Sequence, residues 1–183
     1  MWAESQTSDS PNTGSSHIVD HLITCDTNRC YIDGAWRAQD SCIGQGWVYK
    51  EGGSTDTMMG AMSIRKSLSP LHAECEALIW AMECMNTLRI SEGVFATDCS
   101  QLVKMVSTPT EWPAFTTHME EFLQCKEFFH PFTIQHIPRA QNTMADKLAR
   151  GARNQPAAMV YVDSILPEWL GSGICLVLFS LLL

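Results

Sequence analysis

The sequence is poor in positive charge. Its 12 Lys and Arg face 20 Asp and Glu, a net charge of −8, and no run of cations forms a handle. Phosphate contacts demand clustered cations, so this balance excludes a strong non-specific nucleic-acid binder. It does not exclude an enzyme that holds metal ions against nucleic acid, because bound cations invert the local charge. A membrane-spanning run is also lacking. GICLVLFSLLL, at 173–183, is 11 residues long and spans about 16 Å as a helix, where a bilayer core requires roughly 30 Å. No membrane span is expected, and 171–183 reads as a short apolar tail, either a packing segment or one that serves no folded purpose. MWAESQTSDSPNTGSSHIVD, the first 20 residues, has no apolar stretch of the kind that directs secretion. Rich in Ser, Thr, Asn and Pro, residues 1–25 read as a disordered tail. The eight cysteines show no zinc-finger spacing with one another or with His. They are expected as reduced thiols of an intracellular protein, nuclear or cytoplasmic and not secreted.

What remains is one ordinary domain over 26–170, expected as a monomer, with 45% hydrophobic residues to fill its core. RCYIDGAW (29–36), IGQGWVYK (43–50) and TMMGAMSI (57–64) read as three strands joined by short turns, an antiparallel meander. Ser69-Pro70 announces a helix, with Ser as cap and Pro in the first turn. Along it Leu71, Cys75, Leu78, Met82 and Met85 recur at spacings of 4, 3, 4 and 3. A strand at 94–97, a helix at 100–107, a break at Pro109 and a second helix at 113–129 follow; the latter carries Phe115, Met119, Phe122 and Phe129. FTIQHI (132–137) is a fifth strand, and a last helix begins near Asn142. Strands in series, then strands alternating with helices, make an α/β domain with a mixed sheet covered by helices.

The acids sit at telling places on these elements. Asp33 lies on the first strand, where an unpaired buried carboxylate costs several kcal/mol. On the long helix Glu74 lies about 60° from the centre of the apolar stripe and Glu76 about 140° away, so Glu74 leans over the sheet and Glu76 faces solvent. Asp98 leaves the fourth strand, expected to be central and parallel to the first, and Asp146 sits near the positive end of the last helix. Taken singly, each acid could be a helix cap or a solvated charge. Together they could converge at one edge of the sheet, where their repulsion would be relieved by divalent cations. Two such ions about 4 Å apart activate an attacking water and stabilise the leaving oxygen of a phosphodiester.

YIDGAW, SPLHAECEALIWAMECM, FATDCSQLVKMVS and IQHIPRAQNTMADKLAR, in that order, resemble the ribonuclease H domain over residues 26–168. In particular they resemble plant ribonuclease H-like proteins related to non-LTR retrotransposon polyproteins. The resemblance implies a five-stranded mixed sheet in the order 3-2-1-4-5, flanked by helices. It implies a metal-dependent endoribonuclease that hydrolyses the RNA strand of RNA–DNA hybrids, with two Mg²⁺ ions, or Mn²⁺ in their place. Asp33, Glu74, Asp98 and Asp146 would be the catalytic metal ligands, and His136 would stand where some relatives carry a histidine before the last helix. Asn142 and Arg139 are candidate substrate contacts, with Arg37, Lys147 and Arg150 as further backbone contacts or solvated surface charges; Asn142 reads first as the cap of the last helix, a role compatible with a substrate contact. One departure is the turn after the first strand, which is Gly-rich in many relatives and here reads WRAQDSCIGQG. An alternative is a non-catalytic, retrotransposon-derived nucleic-acid-binding domain on the same fold. A 3′–5′ exonuclease is disfavoured, because the first strand has no Asp-x-Glu.

Overall fold

The computed structural model describes residues 27–171. The disordered tail expected over 1–25 and, apart from Gly171, the apolar tail expected over 171–183 lie outside the described residues. Strands β1 (Arg29–Ala35), β2 (Cys42–Lys50) and β3 (Thr57–Arg65) form the meander. Helix α1 (Pro70–Thr87) starts where the Ser69 hydroxyl accepts the His72 amide, 3.3 Å away, satisfying one of the orphan donors of a helix N-terminus. Then come β4 (Val94–Thr97), α2 (Ser100–Ser107), α3 (Thr116–Lys126), β5 (Thr133–His136) and α4 (Thr143–Arg153). The helix expected over 113–129 is shorter, because Pro109 and Pro113 each open a single 3₁₀ turn before α3 begins.

The sheet has six strands, not five, in the order β5-β4-β1-β2-β3-β6. The added strand, β6 (Met159–Asp163), pairs antiparallel with β3 and leads to a short helix, α5 (Glu168–Gly171). Its central residues, Val160, Tyr161 and Val162, are β-branched or aromatic and favour a pleated surface. The inner five strands keep the order 3-2-1-4-5, with β4 parallel to β1 and β5 parallel to β4. Period-two alternation sends neighbouring side chains to opposite faces. Ile32, Trp47, Tyr49 and Phe95 join the helix residues Leu78, Met82, Met85, Leu102, Met119 and Phe122 in one core. Val48, Met59 and Ala61 meet Leu148 and Ala152 of α4 in a second core on the other face.

Two close approaches fix the helices that carry the acids. A Cβ on Gly34 would stand 2.6 Å from the Ala73 backbone, so β1 touches α1 just before Glu74. A Cβ on Gly44 would collide with the Ala149 carbonyl, so α4 rests directly on the β2 backbone. Any side chain at either position would push a helix, and its carboxylate, away from the end of β1.

Candidate active site

Asp33, Glu74 and Asp98 each offer a carboxylate oxygen, and the three oxygens lie within 4.8 Å of one another. Asp33 projects from β1 and is buried. Asp98 follows the last residue of the neighbouring parallel strand, and Glu74 descends from the second turn of α1. Three anions this close repel, and burial compounds the cost. Burial, followed by Asp98 and Asp146, pushes the Asp33 carboxyl up to about 7, against the pull of Arg139 and Arg150. Glu74 is driven well above the usual carboxylate range, first by burial and then by Asp33 and Asp98. Its Oε2 is enclosed and has no hydrogen-bond partner. An unpaired buried acceptor among carboxylates is an atom that a bound cation would satisfy. An all-oxygen donor set of this charge suits a hard divalent ion.

Asp98 is not a helix cap. The residue at the cap position of α2 is Cys99, which makes no side-chain cap bond. Asp98 instead accepts from Asn142, whose Nδ2 donates to Asp98 Oδ1 at 3.1 Å and to the Ile32 carbonyl at 2.8 Å. Asn142 does stand at the cap position of α4, but its side chain makes no cap bond there. The amide is buried and turned inward, so one side chain ties β1 to Asp98 and has no exposed surface to offer a substrate. His136 ends β5 opposite Thr97, and its exposed ring donates from Nε2 to the Asp98 carbonyl at 3.2 Å.

Asp146 lines the same cleft but stands apart from the trio, held by cations. Arg150, one turn along α4, donates from Nε to Oδ1 at 2.9 Å and from Nη2 to Oδ2. Arg139 adds a bond at 3.2 Å. The pairing raises Arg150 above its ordinary value. Arg139 and Arg150, expected as contacts to nucleic acid, are thus engaged with Asp146, while Lys147 is exposed on α4. Glu76 also departs from expectation. It is half-buried, accepting from the Ser67 hydroxyl and paired with His118 at 3.3 Å, because α3 packs over its face of α1.

The cleft encloses about 180 Å³ and is lined by the trio, Asp146, three arginines and the Trp36 and Pro70 side chains among others. The arginines are Arg139, Arg150 and Arg153, and the proton affinity of Arg153 is lowered first by burial and then by Arg37 nearby. A chain with no basic run in its sequence therefore gathers cations in space. Two of these residues escape sequence reasoning. Arg153 follows Arg150 by three on one face of α4, a signal that helical spacing carries; it is buried and pairs with Asp40 at 3.1 Å. Trp36 follows Asp-Gly-Ala, with no local sign that it turns to the cleft.

A model of the family described as reverse transcriptase-like matches residues 31–152. The chain belongs to the reverse transcriptase-like family. This family member has the ribonuclease H fold. Its solved structural neighbours include the ribonuclease H1 of the halophilic archaeon Halobacterium salinarum, at 27% identity and a TM-score of 0.63, covering 68% of this chain and 96% of that one. The N-terminal ribonuclease H domain of a Mycobacterium tuberculosis protein is 23% identical with a TM-score of 0.59, covering 70% of this chain and 95% of that one. A ribonuclease H1 recovered from compost, solved in complex with an RNA/DNA hybrid, is 22% identical with a TM-score of 0.61, covering 69% of this chain and 96% of that one. A comparison with curated proteins finds no match. Among the described residues no helix is long and apolar enough to cross a membrane, and Cys30, Cys42, Cys75, Cys84, Cys99 and Cys125 are free.

Proposed function

We propose that this family member is a ribonuclease H-type hydrolase that cuts the RNA strand of an RNA–DNA hybrid with the aid of Mg²⁺. The observation that carries the reading is the convergence of Asp33, Glu74 and Asp98 around the unpartnered Glu74 Oε2. Divalent cations bound there would supply activation of an attacking water and stabilisation of the leaving oxygen of a phosphodiester. Asp33, Glu74 and Asp98 would hold the cation and Asp146, freed of its arginines, would add a fourth carboxylate, while Asn142 fixes the rotamer of Asp98. His136, beside Asp98 and open to solvent, would pass protons or escort product. Arg139 and Arg150, when released, face the substrate backbone. The neighbour solved with an RNA/DNA hybrid supports the same substrate class.

The arginine-held Asp146 favours a second reading, a domain that binds nucleic acid without turnover, such as one descended from a retrotransposon. Incubating the full chain with a labelled RNA–DNA hybrid in Mg²⁺ decides between them, with EDTA and Asp98→Asn as controls. Cleavage of the RNA strand alone, abolished by both controls, is the expected result. Binding without cleavage would establish the second reading.

A further inference from the structure

The described residues include five tryptophans. Trp47, Trp80 and Trp112 pack with the larger apolar core and Trp169 with the smaller, while Trp36 joins neither. It is half-buried and lines the same cleft as Asp33, Glu74 and Asp98. Its indole N–H donates to the Ser67 carbonyl at 3.0 Å. Over the ring stands the Lys66 ammonium, 4.9 Å from the centroid, which also donates to the Ala38 carbonyl. The Lys66 amide donates to the Ser41 carbonyl at 3.0 Å. The turn after β1 and the segment after β3 are thereby tied together around an indole that serves no core.

An indole fixed at its polar edge and on one face is a rigid contact surface whose ordering cost is already met. An ammonium carries three donors, and the Ala38 carbonyl takes one. The departure of this turn from a Gly-rich sequence is what supplies the ring. In a duplex the base faces are stacked away, and the wide, shallow minor groove of an A-like helix presents 2′-hydroxyls of the sugars, base edges and the flanking phosphates.

We propose that Trp36 and Lys66 form a substrate-contact pair beside the carboxylates. The indole packs against the sugar of a nucleotide next to the phosphate under attack, and the Lys66 ammonium pairs with the adjoining phosphate. The pair sets how a hybrid duplex sits in the cleft. This deepens the hydrolase reading above and rests on it for the identity of the ligand.

The test measures binding and turnover separately in the full chain. Anisotropy of a fluorescent RNA–DNA hybrid, with Ca²⁺ replacing Mg²⁺, gives affinity, and cleavage in Mg²⁺ gives kcat and KM. Trp36→Ala is expected to weaken binding about tenfold and raise KM in step while kcat moves less, and Trp36→Phe to retain most of the affinity. Lys66→Met is expected to flatten the slope of log affinity against log salt by about one, the signature of one lost phosphate contact. Wild-type affinity in Trp36→Ala, or an unchanged salt slope in Lys66→Met, would overturn the proposal. If Trp36→Ala does not fold, the Lys66→Met slope alone decides. Should the wild-type chain bind the hybrid without cutting it, the hydrolase reading falls while the binding measurements still judge the pair. A wild-type chain that does not bind hybrid at all sinks both.

Discussion

Asp33 and Asp146 carry the same side chain, are both buried, and line one cleft, yet the fold treats them in opposite ways. Asp33 has two carboxylates for neighbours, Glu74 and Asp98, and its carboxyl is pushed up to about 7. Asp146 has two guanidinium groups, from Arg139 and Arg150. One carboxyl has no ion pair of its own and feels the arginines only at a distance, and the other is paired before any ligand arrives. The difference teaches where the molecule stores the cost of its function. The trio destabilises the metal-free fold and would be relieved by a cation, whereas Asp146 is already satisfied and must exchange partners to take part.

The largest effect expected is on turnover. Replacing Asp98 by Asn removes a charge from the trio while keeping its shape and its place beside Asn142. Loss of several kcal/mol of transition-state stabilisation amounts to about a thousandfold or more in rate. A hybrid-cleavage assay on the folded variant checks this, and circular dichroism should show the metal-free variant at least as stable as the parent. If the variant unfolds, Asp98 is a structural residue and its contrast with Asp146 disappears.

The second prediction concerns pH. An acid whose folded pKa lies above its unfolded value binds its proton more tightly in the fold, so its ionisation costs stability. Asp33 rises from 3.8 to about 7. The metal-free protein should therefore lose stability as pH climbs from about 4 to 7, by roughly 4 kcal/mol at most from this residue. Glu74 acts in the same direction. Thermal melts in EDTA across that window should show the fall, Asp33→Asn should flatten it, and saturating Mg²⁺ should do the same in the parent. A parent melt that rises with pH throughout would contradict the picture of an uncompensated trio.

Asn142 sharpens the comparison, because it is the neutral donor that Asp98 has in place of an arginine. Removing an outer hydrogen-bond partner of a metal ligand typically costs about 10- to 100-fold in metal affinity or activity. Asn142→Ala should fall in that range by calorimetric Mn²⁺ titration, and should lower the melting temperature because the Ile32 carbonyl also loses its donor. A variant that melts lower but binds Mn²⁺ as before would reduce Asn142 to a tie between β1 and α4.

Most of the sheet was legible because its signals are local. Alternation and turn chemistry mark β1 to β5, and Ser69-Pro70 marks the start of α1. The carboxylates were legible as residue types at strand ends and helix starts. What escaped depends on distance along the chain. Asn142 reaches the Ile32 carbonyl across 110 positions, so no local pattern separates that role from a cap. Glu76 looks solvent-facing on an isolated helix wheel, and the Ser67 hydroxyl and His118 on α3 cover it from outside the helix. Strand β6 is five residues long and carries no flanking periodicity of its own. The missing basic handle is assembled from residues on β1's following turn, the β5–α4 connection and α4, which charge counting cannot bring together.

The pairing of Asp146 with Arg150 escaped although it is a local i,i+4 pair, because Arg150 in the sequence reads as a substrate contact, and it yields the smallest and most discriminating test. Arg150 is half exposed, and exposed ion pairs contribute little to stability. Its consequence for a cation is a matter of competition. With Arg150 in place, a divalent ion can recruit Asp146 only by displacing a bidentate guanidinium, and it also meets a positive charge on the cleft wall. Arg150→Gln keeps a polar side chain of moderate length and removes both obstacles, leaving Asp146 only its single bond from Arg139. Divalent-ion affinity, by calorimetry on the metal-free chain, should then rise, by up to about fivefold. Hybrid affinity should fall in the same variant if the guanidinium turns to the substrate once released. An Arg150→Gln chain that binds the ion more weakly would invert the conclusion. The arginine would then be presenting Asp146 to the trio rather than withholding it, and the two aspartates would belong to one preassembled site.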